Sequence, residues 1–279
     1  MALKDILLVL ITYPEATSAS EVQEAVSFAV SMDARISALA CIVKVRAPQH
    51  VLADAFLDIP ALVASEMKKS SNVAAEMLAA FEISAKKAGV FQESLTKTCF
   101  TSDAPDLLVH EARVRDLTIL PAVLEGQNYR WYAEAIVFGS GRPLIILPPR
   151  GRDFALDTVV IAWDGSRPAA RAVADALPML ERARGVCVLT ILNEKEISSE
   201  SPAAELSMYL ERRGIAAKSD CIDAAGRRIG EVLKSYLTSN QTDLLVMGAY
   251  GHSRVREFIL GGATLSMLSK PPVPILLSH

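Results

Sequence analysis

Gly248, Gly251, Gly261 and Gly262 follow an apolar run, Leu244-Leu-Val-Met247, that reads as a buried β-strand. Glycine lacks a Cβ, tolerates positive φ and lets backbone amides come close to an anion. Amides converging at a helix N-terminus make a phosphate cradle. The spacing therefore raises nucleotide binding before any other chemistry. His252, Ser253, Arg254 and Arg256 lie between the glycines, and each reads either as a phosphate contact or as an ordinary solvated loop side chain. Glycines so spaced also serve turns, and Gly261-Gly262 also suits a C-terminal cap on a helix over 255–260. The surrounding elements must choose between these readings.

Those elements occur twice along the chain. Asp5-Ile-Leu-Leu-Val-Leu-Ile11 matches Asp157-Thr-Val-Val-Ile-Ala-Trp163 as a first strand, and residues 24–32 match 171–179 as an amphipathic helix. A second, almost wholly apolar strand follows over 36–43 and 186–192, as expected for a strand covered on both faces. Helices over 61–88 and 202–213, third strands over 92–98 and 216–222, and helices over 104–113 and 228–238 come next. Asp116-Leu-Thr-Ile-Leu-Pro121 matches Asp243-Leu-Leu-Val-Met-Gly248 as a fourth strand, and residues 142–147 match 273–277 as a fifth. Strands alternating with helices require crossovers into a mainly parallel sheet with helices on both faces. The fold class is α/β: two tandem, doubly wound, five-stranded Rossmann-like domains, 1–149 and 154–279, meeting at Pro148-Pro-Arg-Gly-Arg-Asp153. A strand that ends each repeat leaves an edge to protect, so the two fifth strands are expected to pair.

Composition narrows the function classes. The chain has 279 residues, 51% hydrophobic and 22% charged, enough for two cores. A net charge of −3 with interspersed signs gives no basic stripe for nucleic acid or an anionic membrane. No apolar run approaches the roughly 18 residues of a membrane span, and the opening residues lack a signal-peptide pattern, so a cytoplasmic location is expected. Cys41, Cys99, Cys187 and Cys221 form no CxxC pair and read as reduced core residues.

The first half serves as an internal control. Thr12 stands in place of Asp164, and Pro121-Ala-Val-Leu124 in place of Gly248-Ala-Tyr-Gly251, so the phosphate loop is missing there. Gly139-Ser-Gly141 follows a helix, opens none and lacks a third glycine, which argues against a dinucleotide fingerprint. The four histidines bring no nucleophile, base and orienting group together, and no Lys follows the glycines as a P-loop needs. No catalytic residue is assigned, and at most slow ATP hydrolysis is expected.

Gly248, Gly251 and Gly261, downstream of Ala162-Trp-Asp164-Gly-Ser166, resemble the universal stress protein family across both repeats. The resemblance implies that Asp164 hydrogen-bonds the adenine or ribose and that the backbone of Ile191 lies against the base. It also implies that Ala162, Met247, Gly248, Gly251, Gly261, Gly262, Ala263 and Thr264 complete a site for ATP, with magnesium carried by the nucleotide. Asp164-Gly-Ser166 read without the resemblance is a turn and helix cap. Gly262 stands where the family's nucleotide-binding members carry Ser or Thr, which removes a hydroxyl donor and leaves the amide, with Thr264 close behind. The expected function is a tandem stress-response sensor or regulator binding one adenine nucleotide in its second domain, with a symmetric homodimer as the oligomer to look for. The alternative is a scaffold acting through partners, with both sites eroded.

Overall fold

The computed structural model describes residues 3–12, 16–44, 59–122, 128–192, 202–249 and 262–279. Ten strands run in chain order as β1 (Asp5–Leu10), β2 (Arg35–Lys44), β3 (Phe91–Phe100), β4 (Leu117–Pro121), β5 (Leu144–Leu147), β6 (Thr158–Ala162), β7 (Gly185–Leu192), β8 (Ala217–Asp223), β9 (Leu244–Gly248) and β10 (Ile275–Ser278). The helices are α1 (Ala19–Met32), α2 (Ile59–Lys87), α3 (Ala104–Arg113), α4 (Asn128–Gly139), α5 (Arg167–Leu180), α6 (Pro202–Glu211), α7 (Ile229–Ser239) and α8 (Gly262–Ser269).

The strands form one sheet in the order β3-β2-β1-β4-β5-β10-β9-β6-β7-β8. Each half has the same internal order, and every neighbouring pair is parallel except β5 and β10. Those two fifth strands run antiparallel, with Ile146 opposite Ile275 and Leu144 opposite Leu277. Two edges that would otherwise be open thus satisfy each other, and the buried Leu-Ile-Ile-Leu of β5 is covered on both faces. Side chains alternate across the sheet. On one face Ile6, Leu8 and Val159 pack with α1, α2, α5 and α6; on the other Leu7, Val9 and Val160 pack with α3, α4, α7 and α8.

An aspartate repeats the same work in each half. Asp243 accepts hydrogen bonds from the backbone amides of Asp157 and Thr158, both at 3.0 Å. Asp116 accepts from Lys4 and Asp5 at 2.8 and 3.0 Å. The carboxylate before each fourth strand thereby satisfies the first amides of each first strand, which otherwise lack a partner. This pairing sets the equivalence Asp5 with Thr158 and Ile6 with Val159. Ile11, not Thr12, is therefore the counterpart of Asp164. The shift of one residue arises because Asp5 and Asp157, which look alike in sequence, occupy successive rungs.

The segment joining the halves is fastened down. The Arg150 guanidinium pairs with Glu24 on α1, Arg152 with Asp243 at 2.9 Å, and the Phe154 ring meets Phe28 edge-on at 4.7 Å. The Phe154 amide also donates to Ser27 Oγ at 2.8 Å.

The cysteines depart from the expectation of four core residues. Cys41 and Cys99 are buried, Cys187 is half-buried and Cys221 is exposed. Cys221 lies on β8, an edge strand that no further strand covers. Among the described residues no helix is long and apolar enough to cross a membrane.

Candidate functional site

In an open α/β sheet, ligands collect beyond the carboxyl ends of the strands where the order of connection reverses. In the second half that point lies between β6 and β9, since α5 leaves β6 toward one face and α8 follows β9 on the other. Ala162 ends β6 with Leu189 of β7 on one side and Met247 of β9 on the other. Ala162, Met247 and Ile191 all face the α7/α8 side, because they alternate in phase with Val160, Leu245 and Leu189. Three residues nominated from sequence thus come together on one face at the switch point.

Asp164 begins the turn into α5. Its Oδ1 accepts the Ser166 amide at 3.0 Å, Gly165 takes φ +70°, and Ser166 is the N-cap of α5, accepting from the Ala169 amide at 3.3 Å. An Asx turn followed by a Ser cap is the turn-and-cap reading of these residues, with Ser166 as the cap. Pro168 sits in the first turn, where a missing N–H costs nothing. Asp164 is exposed beyond the strand ends.

Gly248 is required for a different reason from the one the motif suggests. It does not adopt positive φ; instead a Cβ there would lie 2.4 Å from the Ala169 nitrogen and 2.5 Å from the Pro168 carbonyl carbon. The glycine lets the start of α5 rest directly on the end of β9. Ala169, Ala172 and Ala176 are buried along the same helix, and their small side chains permit this approach. The alanine stripe was the signal for it in the sequence.

Gly262, Ala263 and Thr264 form the first turn of α8, where backbone N–H groups have no partner within the helix. Gly262 is exposed and a Cβ on it would meet nothing within 4 Å, whereas Thr264 is buried. Gly262 therefore opens a helix. Gly251, Gly261 and the stretch 255–260 lie outside the described residues, as do His50, His252, Ser253, Arg254 and Arg256. His110 lies exposed on α3, and the His279 ring stacks edge-on against Phe138.

At the corresponding place in the first half, large side chains of the described residues line the strand ends. Val9, Leu10, Ile11, Thr12, Cys41, Ala104, Leu108 and Tyr132 surround a cavity of about 20 Å³, room for one water. Cys41 holds the register position of Ile191, and Tyr132 from α4 is buried over the strand ends. Burial pushes the Tyr132 phenol up to about 12, so it stays neutral. A bound nucleoside would need a site of several hundred Å³.

Residues 155–279 match the family model described as Universal stress protein family. That match lies wholly in the second half. A universal stress protein of Synechocystis sp. is 26% identical over 152 residues, covering 51% of this chain and 49% of that protein. The chain thus spans about half the length of the curated relative it matches. A universal stress protein from Archaeoglobus fulgidus superposes over 98% of this chain and 96% of its own, with a TM-score of 0.72 at 14% identity. A second structure, from Pseudomonas aeruginosa and titled as a putative universal stress protein, covers 99% and 93%, with a TM-score of 0.58 at 11% identity. At these identities the structural likeness establishes the fold. It extends over both halves, so the first half shares the fold of the second.

Proposed function

We propose that this chain binds one adenine nucleotide, ATP by preference, at the carboxyl ends of β6, β7 and β9 in its universal stress protein domain, and acts as a cytoplasmic sensor or regulator in stress response. The observation that carries the reading is the meeting of Ala162, Ile191 and Met247 on one sheet face, with α8, whose first turn is Gly262 to Thr264, packed on that same face. The donor set suits a polyphosphate: backbone N–H groups at a helix N-terminus favour anions. Asp164 would meet the nucleoside, Gly251 and Gly261 would complete the cradle, and magnesium would be held chiefly by the phosphates. The chain's own part is binding and orientation; no residue here is assigned to hydrolysis.

Equilibrium titration of the purified chain with labelled ATP is expected to give about one site per chain, since the first half carries Pro121-Ala-Val-Leu124 in place of the glycine loop. No binding at millimolar ATP, together with a melting temperature indifferent to saturating nucleotide, would overturn the proposal in favour of a scaffold acting through partners.

Gly262→Ser tests the weakest position of the cradle. The added Cβ meets nothing within 4 Å, so the fold should be undisturbed. One hydroxyl donor to a charged phosphate is worth about 1.5–3 kcal/mol where it is well aligned. The variant is expected to bind ATP at least about tenfold more tightly, read by the same titration.

A further inference from the structure

The seam between the halves turns one of them end for end. Strands are parallel within each half, but β5 and β10 are antiparallel with Leu144 opposite Leu277, so the start of β5 lies beside the end of β10. The end of α4, which leads into β5, therefore reaches the carboxyl rim of the second half, where a ligand would collect. There the Phe138 ring meets the His279 ring edge-on, with centroids 4.8 Å apart. The same imidazole lies 3.0 Å from the Ala249 carbonyl oxygen through Nδ1. A carbonyl oxygen only accepts, so Nδ1 carries the hydrogen. Ala249 is buried directly after Gly248, and its own amide donates to the Ser278 carbonyl at 2.8 Å. Both backbone groups of the residue at which the chain leaves β9 are thus held by Ser278 and His279. The first half has only part of this arrangement. Its Ala122 amide donates to the Leu147 carbonyl at 2.8 Å, but Pro148 stands where His279 stands and has no donor to offer. Ser269 holds the place before β10 that Phe138 holds before β5. Phe138 is 45% exposed, so neither the fold nor the core requires an aromatic there. The ring pair and the side-chain hydrogen bond occur on one rim, that of the half that keeps the glycines.

We propose that His279 and Phe138 are positioning residues for nucleotide binding, and that through them the first half takes part in the second half's site without having one of its own. The proposal rests on the nucleotide reading above. The peptide group is planar, so the bond from His279 to the Ala249 carbonyl fixes the plane of the peptide through which the chain leaves β9 beside Gly248. Phe138 fixes the imidazole in turn, since an edge-on ring contact favours one orientation of each ring. Neither side chain touches nucleotide; each acts on the backbone at the mouth of the site. The order of action is definite: Phe138 works only through His279, and His279 only through its Nδ1 hydrogen.

The test titrates the whole chain and its variants with labelled ATP. Asparagine places an N–H donor where Nδ1 stands, whereas glutamine places one where Nε2 stands. His279→Gln is expected to weaken ATP binding about fivefold, the loss of one hydrogen bond, and His279→Asn to stay within about twofold of the unsubstituted chain. Phe138→Leu should weaken binding about twofold to fivefold, and should add nothing in the His279→Gln background, because the two residues act in series. Melting temperatures should move by less than about 2 °C in all of these, which separates positioning from a loss of fold. Equal affinity for His279→Asn, His279→Gln and the unsubstituted chain overturns the proposal and leaves the nucleotide site standing. A Phe138→Leu loss that adds in full to that of His279→Gln overturns the serial coupling. Absence of ATP binding by the unsubstituted chain removes the nucleotide reading and this proposal with it. The contact is read separately, without ATP, by nitrogen NMR of the imidazole: a proton on Nδ1 is expected, and a proton held on Nε2 alone overturns the assignment whatever ATP does.

Discussion

Gly248→Ala is expected to lower the stability of the chain by about 3 kcal/mol and to weaken ATP binding at least tenfold. The new methyl would sit 2.4, 2.5 and 2.9 Å from the Ala169 nitrogen, the Pro168 carbonyl carbon and the Ala169 Cα. All three are backbone atoms at the start of α5, so no side chain can rotate away. Overpacking of this kind costs about 1–3 kcal/mol and more where backbone must move. The relief available is to lift α5 from β9, which also moves Ser166, Gly165 and Asp164, the turn tied to that helix by the Ser166 cap. Urea unfolding should show a lower midpoint at unchanged slope, and titration below the transition should show the binding loss. Gly262→Ala is the control: with nothing within 4 Å of its Cβ, it should leave stability within about 1 kcal/mol. Equal stability for the two alanine variants would refute the close-approach account of Gly248.

The second large effect is expected at the junction of the halves. Glu24 is fully buried on α1, and its partner Arg150 is 10% exposed; the guanidinium contacts Oε1 through both Nε, at 2.9 Å, and a terminal nitrogen. The other carboxylate oxygen, Oε2, is buried without a hydrogen-bond partner among the described residues. Arg150→Ala would strand that carboxylate, and breaking a buried pair in this way costs about 3–5 kcal/mol. The pH dependence has a definite sign. Burial already raises Glu24 above the usual carboxylate value, with Arg150 opposing it, and removing the arginine raises it further. A folded state that holds its proton more tightly than the unfolded chain gains stability as pH falls through the folded value and keeps the full gain below the unfolded one. The deficit of Arg150→Ala should therefore be largest near pH 7.5 and smaller at pH 5. Denaturation at the two pH values measures it. A double change, Glu24→Leu with Arg150→Met, should recover most of the loss; failure to do so, with a deficit independent of pH, would place the cost elsewhere.

The repeat, the alternation of strands and helices, and the site's neighbourhood were legible in the amino-acid order because each rests on local chemistry. Apolar runs such as Leu244 to Met247 between turn residues read as covered strands, and Asp164-Gly-Ser166 reads as a short turn into a helix. The fifth strands also announced their pairing, since Leu144 to Leu147 and Ile275 to Leu277 are apolar throughout and would be open edges in isolation. Two features were not legible. Asp5 and Asp157 resemble each other in sequence, but only the hydrogen bonds of Asp116 and Asp243 show that they sit one rung apart, which makes Ile11 the counterpart of Asp164. Gly248 invites a positive-φ explanation, yet the atoms that exclude a side chain belong to α5, some eighty residues earlier in the chain.

By itself, then, the sequence determined the two-fold repeat of an α/β unit, the strand ends at which a ligand would collect, and the half in which the glycines survive. Those properties follow from residue periodicity and backbone preference, which act over a few residues. The tertiary structure decided which strand rungs correspond, why Gly248 must lack a side chain, and that Tyr132 and Cys41 come together at the strand ends of the first half. Each of these is an atom-to-atom approach across the sheet, and such approaches exist only once parallel strands are set side by side in a fixed register.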